Sequence, residues 1–152
     1  MGFVYGRLKS NYSRSLYYAI LSKKDNEAIG EMSPSDDFSI MMEYAYMGSK
    51  SKVEKLLEKI KPFVLSSNFK EGAVSKGNTL VYIGEAYLRI NELDSALKYA
   101  SWGLRIPDKN KAPYVYYVLA QTYLNKKEYQ KSLDYIHTGL PLIEASKREK
   151  NL

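Results

Sequence analysis

The chain has no cysteine among its 152 residues, which excludes a disulfide framework, a thiolate metal site and a cysteine nucleophile. Its one histidine, His137, leaves zinc short of its usual ligands and has neither the positioned partner nor the pocket that general-base chemistry requires. No segment approaches the roughly 18 apolar residues of a membrane span. The opening MGFVYGRLKS lacks the charged region and apolar run of a secretory signal, and Gly6 stands where a myristoylation signal needs Ser or Thr. Glycine-rich phosphate loops and nucleophile elbows are absent. The expectation is a soluble, cytoplasmic, non-enzymatic protein with no metal, no cofactor and no membrane partner.

With 45% hydrophobic and 26% charged residues, the chain can bury a core as one globular domain without metal or disulfide help. Its net charge of +6 favours acidic partners but falls short of what would by itself argue for nucleic acid.

One phrase is written twice. YIGEAYLRINELDSALKYASWGL, Tyr82 to Leu104, is followed by VLAQTYLNKKEYQKSLDYIHTGL, Val118 to Leu140. A constant displacement of 36 residues pairs Ile83 with Leu119, Gly84 with Ala120, Tyr87 with Tyr123, Ala96 with Ser132, Leu97 with Leu133, Ala100 with Ile136 and Gly103 with Gly139. Apolar residues at Leu80, Ile83 and Tyr87, then at Leu93, Leu97, Ala100 and Leu104, recur at helical spacing around the polar turn Arg89 to Glu92. Each unit therefore reads as two helices. Gly84 and Ala120 are expected to face Ala96 and Ser132, since bulk at those points would push the helices apart.

A looser copy, Asp37 to Ile60, places Ala45-Tyr46 like Ala86-Tyr87, and its Val53, Leu56, Leu57 and Ile60 match Leu93, Ala96, Leu97 and Ala100 if its turn is one residue longer. Ser10 to Lys23 reads as a further helix, with Leu16, Ile20 and Leu21 inward. Ser33-Pro34-Ser35-Asp36-Asp37 reads as a turn ending in a helix cap. Pro62 to Gly77 gives no decisive pattern, although Phe69, Ala73 and Val74 would suit a backward extension of the following helix.

The residues Leu80, Ile83-Gly84, Tyr87, Ala96, Ala100 and Pro107, then Tyr116, Leu119-Ala120, Tyr123, Ser132 and Ile136, resemble the tetratricopeptide repeat, a pattern of about 34 residues. Pro107 comes one position early, Ala100 is smaller than the family's usual aromatic, and Pro141 interrupts the last helix, where a bend or restart is expected. The resemblance implies an all-α fold: helix-turn-helix repeats stacked as a short right-handed superhelix over 1–152. Its parts are an N-terminal helix at 10–23, a degenerate repeat at 37–60, a repeat at 77–110 and a repeat at 113–143 with a helical tail. Such a stack leaves a concave wall of first helices free for a guest. Carried onto this chain, the wall comprises Asn78, Val81, Glu85, Leu88 and Arg89, then Tyr114, Tyr117, Gln121, Leu124 and Asn125, with Ile40, Tyr44 and Met47 as looser equivalents. The mixture of aromatic, amide and charged groups suits a peptide or protein segment, and Arg89 suits an acidic one.

The bland assignment stands beside this one: Leu88 and Leu124 as contacts between repeats, and Glu85 with Arg89 as a solvated i, i+4 pair. Two other functions compete. Lys50, Lys52, Lys55, Lys59 and Lys61, with the tail Lys147, Arg148 and Lys150, offer a basic face to nucleic acid or to a regulatory role. Slightly long repeats also resemble the sensing regions of bacterial peptide-receptor regulators. Alternatively, apolar ends of the stack make a homodimer.

Overall fold

The computed structural model describes residues 2–30, 34–66, 69, 75–107 and 113–150, with side chains from 11, from 36 after the first gap, and up to 145. Among these residues there are seven helices and no strand: the protein is all-α. The chain forms two compact units, 1–69 and 70–152. No helix among the described residues is long and apolar enough to cross a membrane.

The first unit holds α1 (Gly2–Ala28), α2 (Pro34–Tyr46) and α3 (Lys50–Leu65). Met41, Ala45, Val53, Leu57, Ile60 and Val64 are buried between them. The second unit holds α4 (Lys76–Arg89), α5 (Leu93–Arg105), α6 (Tyr114–Asn125) and α7 (Tyr129–Lys150). Here α4 packs on α5, α6 packs on both, and α7 packs on α6.

Three helical pairs close with one turn geometry. Gly48, Asn91 and Lys127 each adopt a left-handed conformation, with φ of 69°, 63° and 63°. The following residue in each case returns its N–H to a tyrosine carbonyl five positions back: Ser49 to Tyr44, Glu92 to Tyr87 and Glu128 to Tyr123, all at 2.9 Å. The left-handed residue itself donates three back, to Ala45, Leu88 and Leu124. This double closure satisfies carbonyls that the helix end would otherwise leave open. Each connector has three residues, so the first turn is not one residue longer than the others. Matching Gly48 to Asn91 aligns Tyr44, not Tyr46, with Tyr87, and aligns Val53 with Ala96. Tyr46 instead stacks on Tyr12 of α1, with centroids 5.1 Å apart.

Small residues bring the paired helices close. A Cβ on Gly84 would lie 2.8 Å from the Ala100 nitrogen and 3.0 Å from the Ala96 carbonyl oxygen. One repeat later the buried Ser132 hydroxyl donates to the Ala120 carbonyl at 2.8 Å, which lets a polar residue occupy the same seam. Tyr87 stacks on Tyr99 at 5.4 Å and Tyr123 on Tyr135 at 5.5 Å, again at matching positions.

Several expectations need correction. Asp37 lies in the first turn of α2, but its carboxylate accepts hydrogen-bonded ion pairs from Lys23 of α1 and Lys59 of α3 rather than capping its own helix. Burial alone would raise its pKa; the two ammonium groups outweigh that and hold it below the usual carboxylate range. Asp36 accepts from Asn26 at 3.0 Å. Helix α7 does not restart at Pro141 but runs through it to Lys150. Both Pro141 and His137, whose carbonyl loses its helical donor, are solvent-exposed, so water can replace the lost bond. Ser75 caps α4, its hydroxyl accepting from the Asn78 N–H at 3.3 Å, and Phe69 packs edge-on against Phe63. Ala73, Val74, Ser33 and the stretch 108–112 lie outside the described residues, as do the side chains of Lys147, Arg148 and Lys150.

Candidate functional site

Helices α4 and α6 pack side by side, because Leu80, Ile83, Val115, Val118 and Leu119 turn inward and are fully buried. Beside these core positions, Tyr82 and Arg89 of α4 and Tyr114, Tyr117, Gln121 and Asn125 of α6 keep some exposure and form a shared wall. At its centre is Arg89, the last residue of α4. Its Nη2 donates to Glu85 Oε1 at 3.1 Å and its Nε to the same oxygen at 3.3 Å. Burial works against the cation, but the hydrogen bonds and charge of Glu85 outweigh it and hold the pKa above its ordinary value, with Tyr117 and Tyr114 close enough to add to the effect. Tyr114 stacks on Tyr117 at 5.3 Å and meets Tyr82 of α4 at 6.0 Å. One turn beyond Tyr117, Gln121 Nε2 donates to Asn125 Oδ1 at 3.0 Å.

The structure thus brings Glu85, Arg89, Tyr114 and Tyr117 together, with Gln121 and Asn125 continuing along α6. They differ in access. Val81 and Glu85 are buried, at 3% and 0% exposure, so neither can touch a guest directly. Glu85 and Arg89 do not form a solvated pair: the carboxylate is sealed and holds the guanidinium, and the Arg89 side chain as a whole is 35% exposed. Tyr117 is 41% exposed, Asn125 is exposed, and Asn78, Tyr114 and Gln121 are half-buried. Tyr44 belongs to the first unit. There it occupies the seam position of Tyr87 and Tyr123, with the Lys52 ammonium 4.6 Å from its ring centre. Tyr82, absent from the expected wall, is part of it; its signal was the aromatic side chain one turn before Glu85 and Ala86.

A second feature lies between α6 and α7: a groove of about 290 Å³ lined chiefly by Tyr117, Leu124, Tyr135, Ile136, Leu140 and Ile143. Leu88 and Leu124, both expected as contacts between repeats, separate here: Leu88 is buried, whereas Leu124 is 46% exposed. Its Tyr117, Leu124 and Ile136 correspond to Val81, Leu88 and Ala100, which are buried in the α4–α5 pair.

Three of the basic residues of α3 meet partners within the first unit. Lys59 pairs with Asp37, Lys52 lies over Tyr44, and Lys50 approaches Glu54 at 3.9 Å. His137 is exposed, and no group of three or more His, Asp or Glu side chains among the described residues is placed to hold a metal ion. No family model, curated protein or solved structure matches this chain.

Proposed function

We propose that this chain is a tetratricopeptide-like interaction module, and that the α4–α6 wall docks a peptide or protein segment carrying an acidic side chain. The observation that carries this reading is the seating of Arg89. A guanidinium held from behind by a buried carboxylate, beside stacked tyrosines, is pre-organised to take a second carboxylate on its open side. Tyr117 supplies rigid apolar area, and Gln121 with Asn125 supplies amide hydrogen bonds to an extended backbone. The repeated turn geometry and the Gly84 seam support the family resemblance, in which first helices make the docking wall.

The test is selection of binders from a random peptide library, followed by titration of the selected peptides. Enrichment of acidic peptides is expected. Tyr117→Ala with Gln121→Ala should weaken them about tenfold or more while leaving the melting temperature near that of the parent. Equal affinity for the double variant would refute the assignment of this wall.

A further inference from the structure

Arg89 does not stand as a bare cation. The Glu85 carboxylate matches its positive charge with a negative one in direct contact, at 3.1 Å and 3.3 Å. The side chains that complete the wall, Tyr82, Tyr114, Tyr117, Gln121 and Asn125, are phenols and amides, none of them a cation. Lys126, which follows Asn125, is drawn to Asp94 at 2.6 Å. Among the described residues, the wall therefore offers an anion one guanidinium whose charge is already balanced.

That balance decides which anions fit. A guest anion and Glu85, both in contact with one guanidinium, lie at most about twice as far from each other as either lies from the cation, so Glu85 cancels at least about half of the attraction felt by the guest. What remains grows in proportion to the guest's charge, whereas the cost of taking the guest out of water grows with the square of that charge. Arg89 is itself partly desolvated, and the stacked Tyr114 and Tyr117 offer ring surface beside it rather than further charge. A carboxylate carries one charge and a phosphorylated side chain close to two at neutral pH. Sites that take phosphorylated segments answer the second charge with clusters of arginine, and this wall has one.

We infer that the Arg89 site is specific for singly charged carboxylates, the Asp or Glu side chain of a guest, and rejects phosphorylated side chains, with Glu85 as the residue that sets this limit. The inference rests on the docking of acidic segments proposed above. Glu85 is buried and touches no guest; it acts through Arg89 by fixing how much charge the site can answer. A serine, threonine or tyrosine at the guest position facing Arg89 gains no affinity from phosphorylation, and phosphate does not replace an acidic residue there.

One peptide from the acidic selection, titrated against the full chain by fluorescence anisotropy at constant salt and neutral pH, tests the inference. Its acidic position most sensitive to replacement by Gln is made as Glu, as phosphoserine and as serine O-sulfate, which has the shape of phosphate but a single charge. Glu and the sulfate should bind within about threefold of each other, and phosphoserine about fivefold or more weaker. In Glu85→Gln the affinity for phosphoserine relative to Glu should rise about tenfold. Because that ratio is taken within one protein, any general loosening of the wall cancels. Phosphoserine binding the parent as tightly as Glu would overturn the inference. So would a sulfate as weak as the phosphate, which would make size the filter, or a ratio that stays put in Glu85→Gln. Should the melting curve show that Glu85→Gln does not fold, the three peptides on the parent decide. Equal binding of the Glu and Gln peptides is a different failure: it removes Arg89 from acid recognition altogether, and this inference with it.

Discussion

Glu85 is a charged side chain with no solvent exposure, a state that is costly unless the charge is met by hydrogen bonds and an opposite charge. Arg89 meets it. Arg89→Ala should therefore destabilise the second unit by about 1–3 kcal/mol, below the full cost of breaking a sealed pair because the guanidinium is partly in water. Glu85→Gln combined with Arg89→Gln should recover much of that loss, and a double-mutant cycle in urea measures the coupling. Lys127 carries a different strain. It holds a left-handed φ of 63° where the equivalent first turn has Gly48, so Lys127→Gly should stabilise by about 0.5–1 kcal/mol in the same assay. A decrease would mean that the aliphatic stem of Lys127 contributes more than its backbone costs. The i, i+4 spacing of Glu85 and Arg89 was plain in the sequence, but their burial was not. It depends on α6 lying across α4, and no local pattern in α4 records that.

Among the elements, α2 is tied to α1 and α3 through Asp37, which receives both Lys23 and Lys59. The Asp37 pKa is lowered in the folded state, so the native protein holds fewer protons there than the unfolded chain. Its contribution is fully present above the unfolded value of about 3.9 and is lost as pH falls through the depressed folded value. Lys23 is shifted the other way: its hydrogen bond to Asp37 outweighs burial and raises its pKa, so its share is present below about 10.4 and is lost as pH climbs through the raised value. Thermal melts of the parent should show both limbs. Asp37→Asn should lower stability near neutral pH by about 1–2 kcal/mol and flatten the acid limb; an unchanged acid limb would remove Asp37 from the account.

Helix positions were legible here because apolar residues recur at helical spacing. Register in the first pair was not, since Tyr46 imitates Tyr87 in sequence while Tyr44 holds its place at the turn. Asp37 resembled a cap for a similar reason: capping and tertiary pairing favour the same residue near a helix start, and only the lysines arriving from α1 and α3 distinguish them. A bend or restart was expected at Pro141, yet a proline whose freed carbonyl faces water lets α7 continue without a restart.

At the scale of the molecule, the repeat in the sequence made the α4–α6 wall legible as an ordered set of positions, but not which of those positions reach solvent. The wall keeps Arg89, Tyr114, Tyr117, Gln121 and Asn125 accessible in different degrees and removes Val81 and Glu85. The α6–α7 groove escaped notice because its residues look like ordinary core positions of a repeat; they are exposed only because no further described helix covers them.

The most direct measurement is a hydrogen-exchange footprint of the full chain with a selected acidic peptide at saturation. Slowed exchange at the C-terminal end of α4 and along α6, together with affinity that falls as salt rises, is the predicted result. Protection confined to α3, or protection that leaves α4 and α6 unchanged, would contradict the assignment of the docking wall.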